Sequence, residues 1–190
     1  GDVYKRQVLS DGSASVLIED EKAAKERGAR IYCHASGYGM AHSSVKFGTL
    51  TGSEAGLTNA VNNALADAGM TIDDIDAVFG FANGMKAVDD VEIKGLTAVF
   101  GDKLAEKPVV ELKEVLGESR AAAATTAAAH AALMFAGKIP SQEAYSIAAD
   151  GSVSKTNVEA SKLNNVLVVA YGAGGSYTCL LYTSDAADDR

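Results

Sequence analysis

The chain has 190 residues, of which 47% are hydrophobic and 22% charged, and its net charge is −8. The composition allows a packed core and argues against wholesale disorder, and the length suits one domain or one piece of a larger domain. The acidic balance argues against nucleic acid, whose phosphates require a basic surface, and against anionic membranes. No apolar run reaches the roughly 18 residues of a membrane-spanning helix, so membrane insertion is not expected.

Both ends of the chain resemble translated sequencing adapters. Residues 1–7 (GDVYKRQ) resemble the end of such an adapter, and residues 179–190 (CLLYTSDAADDR) resemble its opposite strand. We therefore predict that both segments are adapter-derived, that residues 8–178 form the domain, and that the native protein is longer. The alternative is that both segments are native tails. Without Cys179 a single cysteine remains, which leaves no internal disulfide and favours a reducing cytoplasm.

The sequence of the first 69 residues predicts two strands, a helical turn between them and, after a loop, one longer helix. A buried strand is expected at 13–19, a charged helical turn at 20–28, and a second strand at 29–37 that ends at Gly37-Tyr-Gly39. An irregular loop is expected over 40–52. Ser53 is then a good helix N-cap, apolar residues recur at helical spacing, and Gly69 stops the helix.

The remainder of the chain alternates strands and helices. The predicted elements are a strand at 76–81, a helix at 89–100, a strand at 108–112, an alanine-rich helix at 120–136, a strand at 165–171, a turn at 172–175 and a strand from 176 onward. Because helices alternate with strands, we expect an α/β fold with a mixed, largely parallel sheet and helices packed on its faces.

Several segments, in order, resemble the C-terminal half of the β-ketoacyl-acyl carrier protein synthases, which have a thiolase-like layered fold. The matching segments are 11–19 (the family's EGAAxLVLE), 24–39 (AxxRGAxIYAEVxGYG), 64–76 (AxxxAGLxPxDID), 137–140 (GxIPP) and 172–175 (GFGG). The resemblance covers nearly all of residues 9–178. It implies the thiolase-like fold, acyl carrier protein as a partner, no cofactor, and a decarboxylating condensation of malonyl and acyl thioesters.

The resemblance also implies catalytic positions, from which this chain departs. The family's nucleophilic cysteine lies in an N-terminal half that this chain lacks. Phe81 stands where one family histidine would be, and Glu118, in a segment that keeps Lys113, replaces the other. Ala173, in the turn Gly172-Ala173-Gly174-Gly175, replaces a gating phenylalanine. Because phenylalanine has no hydrogen-bond donor and an ionised glutamate only accepts, neither can stabilise the oxyanion of the condensation.

Glutamate at 118 and Gly84 are also seen in chain length factors, the ketosynthase-like partner subunits of polyketide and polyene systems. We therefore expect a non-condensing subunit that pairs with an active ketosynthase. The alternatives are a divergent but active 3-oxoacyl synthase, which could be a homodimer, and a thiolase-fold protein outside carrier-protein biosynthesis. For Lys113 and Glu118 we favour a structural ion pair that fills the former active site, with a residual acid/base role as the alternative.

Other polar residues suggest structure rather than chemistry. Cys33 is interpreted as a small buried side chain, and the turn 172–175 is not a phosphate loop because a strand follows it. No ligand cluster accompanies the histidines, so no metal site is predicted. The residues interpreted as structural are His34, His42, His130 in the alanine-rich helix, and the helix-start acids Asp73, Asp74, Asp89 and Asp90.

Overall fold

The computed structural model describes residues 9–13, 15–46, 52–119, 144–156 and 163–185. The helices are α1 (Glu21–Glu26), α2 (Glu54–Ala68), α3 (Lys86–Phe100) and α4 (Lys113–Leu116), with 3-10 turns at Ile72–Asp74 and Gly101–Glu106. The strands are β1 (Cys33–His42), β2 (Ala77–Phe79), β3 (Val109–Val110), β4 (Ala144–Ile147), β5 (Val153–Lys155), β6 (Asn165–Gly172) and β7 (Ser176–Ser184). The predicted helix 120–136, with His130, lies outside the described residues.

The seven strands form one sheet in the order β1-β7-β6-β2-β3-β4-β5. The pairs β6–β2 and β2–β3 are parallel, and the other four pairs are antiparallel. The α/β fold with a mixed sheet is confirmed, although parallel pairing is limited to the centre of the sheet. One reason is that a three-residue turn joins β6 to β7, and such a short connection allows only antiparallel pairing.

Helix α2 packs on β1 and β7 and also contacts α3. Its N-cap is Ser53, and Gly69 ends it in the left-handed conformation at φ 64°, as the sequence predicts. The apolar side of α2 is buried, with Leu57 and Val61 fully inaccessible to solvent. Helix α3 starts at Lys86, three residues before the predicted start, and ends before Gly101 as expected.

Strand β1 corrects the expectation for Gly37 and Gly39. The strand begins at Cys33 and runs through both glycines to His42, instead of ending at them. A Cβ at Gly37 would lie 2.5 Å from the Ala64 carbonyl oxygen, and one at Gly39 would lie 2.5 Å from the Ala64 nitrogen. The glycines are therefore sites of close packing between β1 and the backbone of α2, not strand ends.

The predicted buried strand at 13–19 is wrong. Its described residues have no regular secondary structure, and Val16, Leu17 and Ile18 are exposed. An apolar run forms a strand only where a neighbouring strand completes its hydrogen bonds, and none of the described strands pairs with this segment. Strands β4 and β5, which the sequence pattern did not predict, extend the sheet beyond β3.

Strand β7 runs into the segment that the sequence interpretation assigned to an adapter. Residues 179–184 lie in this strand, between β6 and β1, and Cys179 and Leu181 are fully buried. Residues 1–7 and 186–190 lie outside the described residues, so the adapter origin of the two ends stays a prediction.

Candidate functional site

The structure brings Phe81, Lys113 and Glu118 together. Phe81 lies just beyond the carboxyl end of β2, and Lys113 and Glu118 lie beyond the carboxyl end of its parallel neighbour β3. The Lys113 Nζ donates a hydrogen bond to the Phe81 carbonyl oxygen at 3.0 Å and lies 3.0 Å from the Glu118 Oε2. The predicted ion pair is therefore present, at the strand ends where open α/β sheets build their sites.

The short segment between Lys113 and Glu118 explains how the ion pair forms. Helix α4 is a single turn that ends at Gly117, where φ is 75°, a conformation that suits glycine. The Glu118 side chain lies against Lys113, and its Oε2 also accepts a hydrogen bond from the Asn83 Nδ2 at 3.3 Å. Only 20% of the Lys113 side chain and 10% of the Glu118 side chain are exposed, so water screens the pair weakly.

Two acids of α3 hold the loop that carries Phe81. The Glu92 carboxyl accepts the backbone N–H of Phe81 at 2.6 Å and that of Ala82 at 3.0 Å. The Asp89 Oδ1 accepts the N–H of Asn83 at 3.0 Å. Asp89 is therefore more than the helix-start acid predicted from the sequence: it is buried, and burial raises its pKa to about 6.

The Phe81 ring packs into an aromatic cluster with Tyr171 and Tyr177. The ring centroids are 5.7 Å apart for Phe81 and Tyr171, 6.2 Å for Phe81 and Tyr177, and 5.4 Å for the two tyrosines. These tilted contacts are within the range of favourable aromatic pairs. The Phe81 side chain therefore lies in an apolar environment and offers no hydrogen-bond donor.

The turn Gly172-Ala173-Gly174-Gly175 joins β6 to β7 as a tight hairpin turn. Gly174 and Gly175 have positive φ values of 98° and 83°, and the Gly175 N–H donates to the Gly172 carbonyl oxygen. Ala173 is exposed in this turn. The two rings that pack against Phe81 lie on either side of this turn, Tyr171 before it and Tyr177 after it. The sequence pattern indicated neither tyrosine.

Three other polar residues interpreted as structural have surroundings of their own. Cys33 is the first residue of β1 and half-buried, and burial raises the pKa of its thiol. His34 lies 3.8 Å from carboxylates of Glu21 and Asp185, and Asp74 forms a capping box with Thr71. Across the described ranges, no three His, Cys, Asp or Glu side chains form a group that could hold a metal ion.

Sequence reasoning missed Glu111 and the role of Glu92. Glu111 directly follows β3 and is 4% exposed, and Glu92 is 1% exposed. Burial raises the pKa of Glu92 to about 7 and that of Glu111 well above its ordinary value. An acid directly after the apolar run Val109–Val110, at a strand end, is the signal that could have identified Glu111.

Comparison with known proteins agrees with the fold. Residues 32–146 match the beta-ketoacyl synthase C-terminal domain. The chain is 30% identical over 174 residues to "Putative polyketide beta-ketoacyl synthase 2" of Streptomyces coelicolor, covering 90% of this chain and 41% of that protein. It is 29% identical over 116 residues to 3-oxoacyl-[acyl-carrier-protein] synthase 2 of Coxiella burnetii, covering 61% of this chain and 28% of that protein.

Solved structures show the same fold. The ishigamide ketosynthase/chain length factor superposes with a TM-score of 0.73 at 26% identity, covering 87% of this chain and 41% of the other. A beta-ketoacyl synthase from Burkholderia phymatum has a TM-score of 0.75 at 21% identity, covering 88% of this chain and 41% of the other. The chain thus spans about two fifths of the length of the Streptomyces coelicolor protein and of both solved structures. It belongs to the beta-ketoacyl synthase family, with a thiolase-like fold, and matches the family's C-terminal domain.

Proposed function

We propose that the whole protein is a non-condensing subunit of the chain length factor type. It would pair with an active ketosynthase as a heterodimer in the cytoplasm and receive chains carried by acyl carrier protein. The observation that carries this proposal is the ion pair at the site. Glu118, at a position where the family resemblance implies a histidine, is paired with Lys113 and accepts a hydrogen bond from Asn83.

The chemistry of the two replaced positions supports this proposal. Condensation by the family's reaction places negative charge on a thioester oxygen, which hydrogen-bond donors must stabilise, and removal of one such donor typically costs about 10²–10³ in rate. A Glu118 carboxylate engaged by Lys113 presents acceptors, and the Phe81 ring is packed against tyrosines. With neither position donating, condensation by this subunit alone is expected to be negligible.

A divergent but active 3-oxoacyl synthase is the second candidate. It is favoured by the similarity to the Coxiella burnetii protein, whose name is that of such a synthase. The two candidates predict different dimers, because an active synthase could work as a homodimer whereas the partner subunit requires a catalytic ketosynthase.

Co-expression of the complete protein with ketosynthases encoded beside it tests the pairing. The proposal predicts that one of them co-purifies with it in equal amounts and that replacing the subunit changes the length of the product. A stable homodimer that excludes every such ketosynthase would contradict the proposal and favour the second candidate.

The double variant Phe81→His with Glu118→His is the follow-up experiment. It returns an imidazole to each position and should restore at least decarboxylation of malonyl-acyl carrier protein if the complete protein carries a nucleophile or a group that mimics one. Phe81→Leu with Glu118→Gln is the matched control, because it changes both positions without adding an imidazole. If the complete protein carries such a group, equal activity in the two double variants would contradict the assignment of these positions.

A further inference from the structure

The carboxyl groups of Glu92 and Glu111 meet beneath Gly80. A Cβ placed on Gly80 would lie 2.8 Å from the Glu92 Oε1 and 2.7 Å from the Glu111 Cδ. Both carboxyl groups therefore lie against the backbone at residue 80, where only glycine leaves enough room for them. Because both side chains are almost completely buried, water cannot separate their charges.

The hydrogen bonds of the two acids differ. Both Glu92 oxygens accept backbone N–H groups, from Phe81 and Ala82. Neither Glu111 oxygen accepts a hydrogen bond from the described residues. A buried carboxyl group without a donor is costly in its ionised form, but its protonated form is itself a donor and Glu92 is the acceptor beside it.

The charges around the pair also favour a bound proton. Asp89 adds a third buried carboxyl group, which repels charge on both glutamates. The Lys113 ammonium attracts negative charge on Glu111, but it lies beside Glu118 and donates to the Phe81 carbonyl oxygen. Burial, the largest cause, raises the pKa of Asp89, Glu92 and Glu111 alike.

We propose that the Glu92–Glu111 pair holds a single proton at neutral pH, in a hydrogen bond from Glu111 to Glu92, and that this proton positions the loop 80–84 at the candidate site. The proton stays on Glu111, whose O–H donates to Glu92, and no other bond forms or breaks. Glu92 keeps its oxygens available for the Phe81 and Ala82 N–H groups, so Glu111 is a positioning residue that acts through Glu92. The inference rests on the geometry of the pair and is independent of the proposed function.

Infrared difference spectroscopy of the complete protein tests the proton directly. At pH 7 the wild type should show the carbonyl stretch of a protonated carboxylic acid, and Glu111→Gln should lack it. Asp102→Asn, which removes an exposed carboxylate, is the matched control and should keep the band. The absence of this band from the wild type would overturn the proposal, whether or not any variant folds.

The pH dependence of unfolding separates a positioning proton from a merely structural acid. A proton held by the folded state and absent from the unfolded state raises the equilibrium constant of unfolding by about tenfold per pH unit above the ordinary glutamate pKa. Glu111→Gln should weaken this pH dependence of unfolding between pH 5 and 7. Because the new amide is a permanent donor to Glu92, the backbone N–H groups of Phe81 and Ala82 should stay protected from hydrogen exchange in this variant. An unchanged pH profile would overturn the proposal. So would a stabilisation by added K⁺ or Mg²⁺ that Glu111→Gln abolishes, since a cation would then neutralise the pair.

Discussion

The Nζ of Lys113 lies 3.0 Å from the Glu118 Oε2 and donates to the Phe81 carbonyl oxygen, also at 3.0 Å. One ammonium group therefore joins the two positions at which the family resemblance implies histidines. The Lys113–Glu118 pair is mostly shielded from water, which strengthens the attraction between its charges. It holds the turn at Gly117 and the loop beyond β2 in one arrangement. This geometry supports the structural role that we predict for the pair.

A double-mutant cycle measures the strength of this link. Lys113→Ala and Glu118→Ala should show a coupling free energy of about 1–2 kcal/mol, between the values of exposed and fully buried pairs. The matched control is Lys22 and Glu26, whose side chains are 84% and 68% exposed and which should couple by less than about 0.5 kcal/mol. Denaturant unfolding of the complete protein gives both values, and equal coupling in the two pairs would contradict the structural role.

Gly39→Ala should destabilise the protein by about 1–3 kcal/mol or more, because the new methyl group would overlap the backbone of α2 at Ala60 and Ala64. Gly172→Ala is the matched control, since the nearest atom to its new Cβ is 3.5 Å away and its φ is not positive. Thermal or denaturant unfolding measures both variants. If the two alanines have the same effect, the close contact between β1 and α2 is wrong.

Phe81→Ala should cost about 3–5 kcal/mol of unfolding free energy, since it removes a buried ring that packs against Tyr171 and Tyr177. Phe81→Leu keeps most of the apolar volume and should cost less than half as much. Near-ultraviolet circular dichroism should report the changed surroundings of the tyrosines in Phe81→Ala. A loss below about 1 kcal/mol for Phe81→Ala would place the ring outside the core.

The adapter prediction is tested by amplifying the gene again from its source DNA. The natural reading frame should lack the sequences at 1–7 and 179–190. Because positions 179 and 181 are buried in β7, we expect apolar residues there in the natural protein. Recovery of GDVYKRQ and CLLYTSDAADDR from the source gene would show that both ends are native.

Some elements follow from local sequence signals and others do not. Helix α2 is predictable because Ser53, the apolar spacing and Gly69 agree with one another. The segment 13–19 also contains an apolar run, but its described residues form no strand. A strand needs a neighbouring strand to pair with, and the pattern of apolar residues does not reveal one. Strands β4 and β5 have only four and three residues, too few for their pattern to stand out.

The site residues at positions that the family resemblance marks could be predicted from the sequence. Residues that the resemblance does not mark could not all be predicted. Lys113 and Glu118 could be paired because the glycine between them predicts a reversal of the chain. The position of Glu111 at a strand end could be predicted, but its burial could not, since an acid at a strand end is ordinarily exposed. In the fold it interacts with Glu92 and Asp89 of α3, which are distant in sequence.

The most direct test is turnover by the complete protein purified alone, with malonyl- and acyl-acyl carrier protein and the product followed by mass spectrometry. The account predicts no condensation product above the uncatalysed background. Condensation at a rate typical of enzymes, on the order of 1 s⁻¹ or faster, would contradict it.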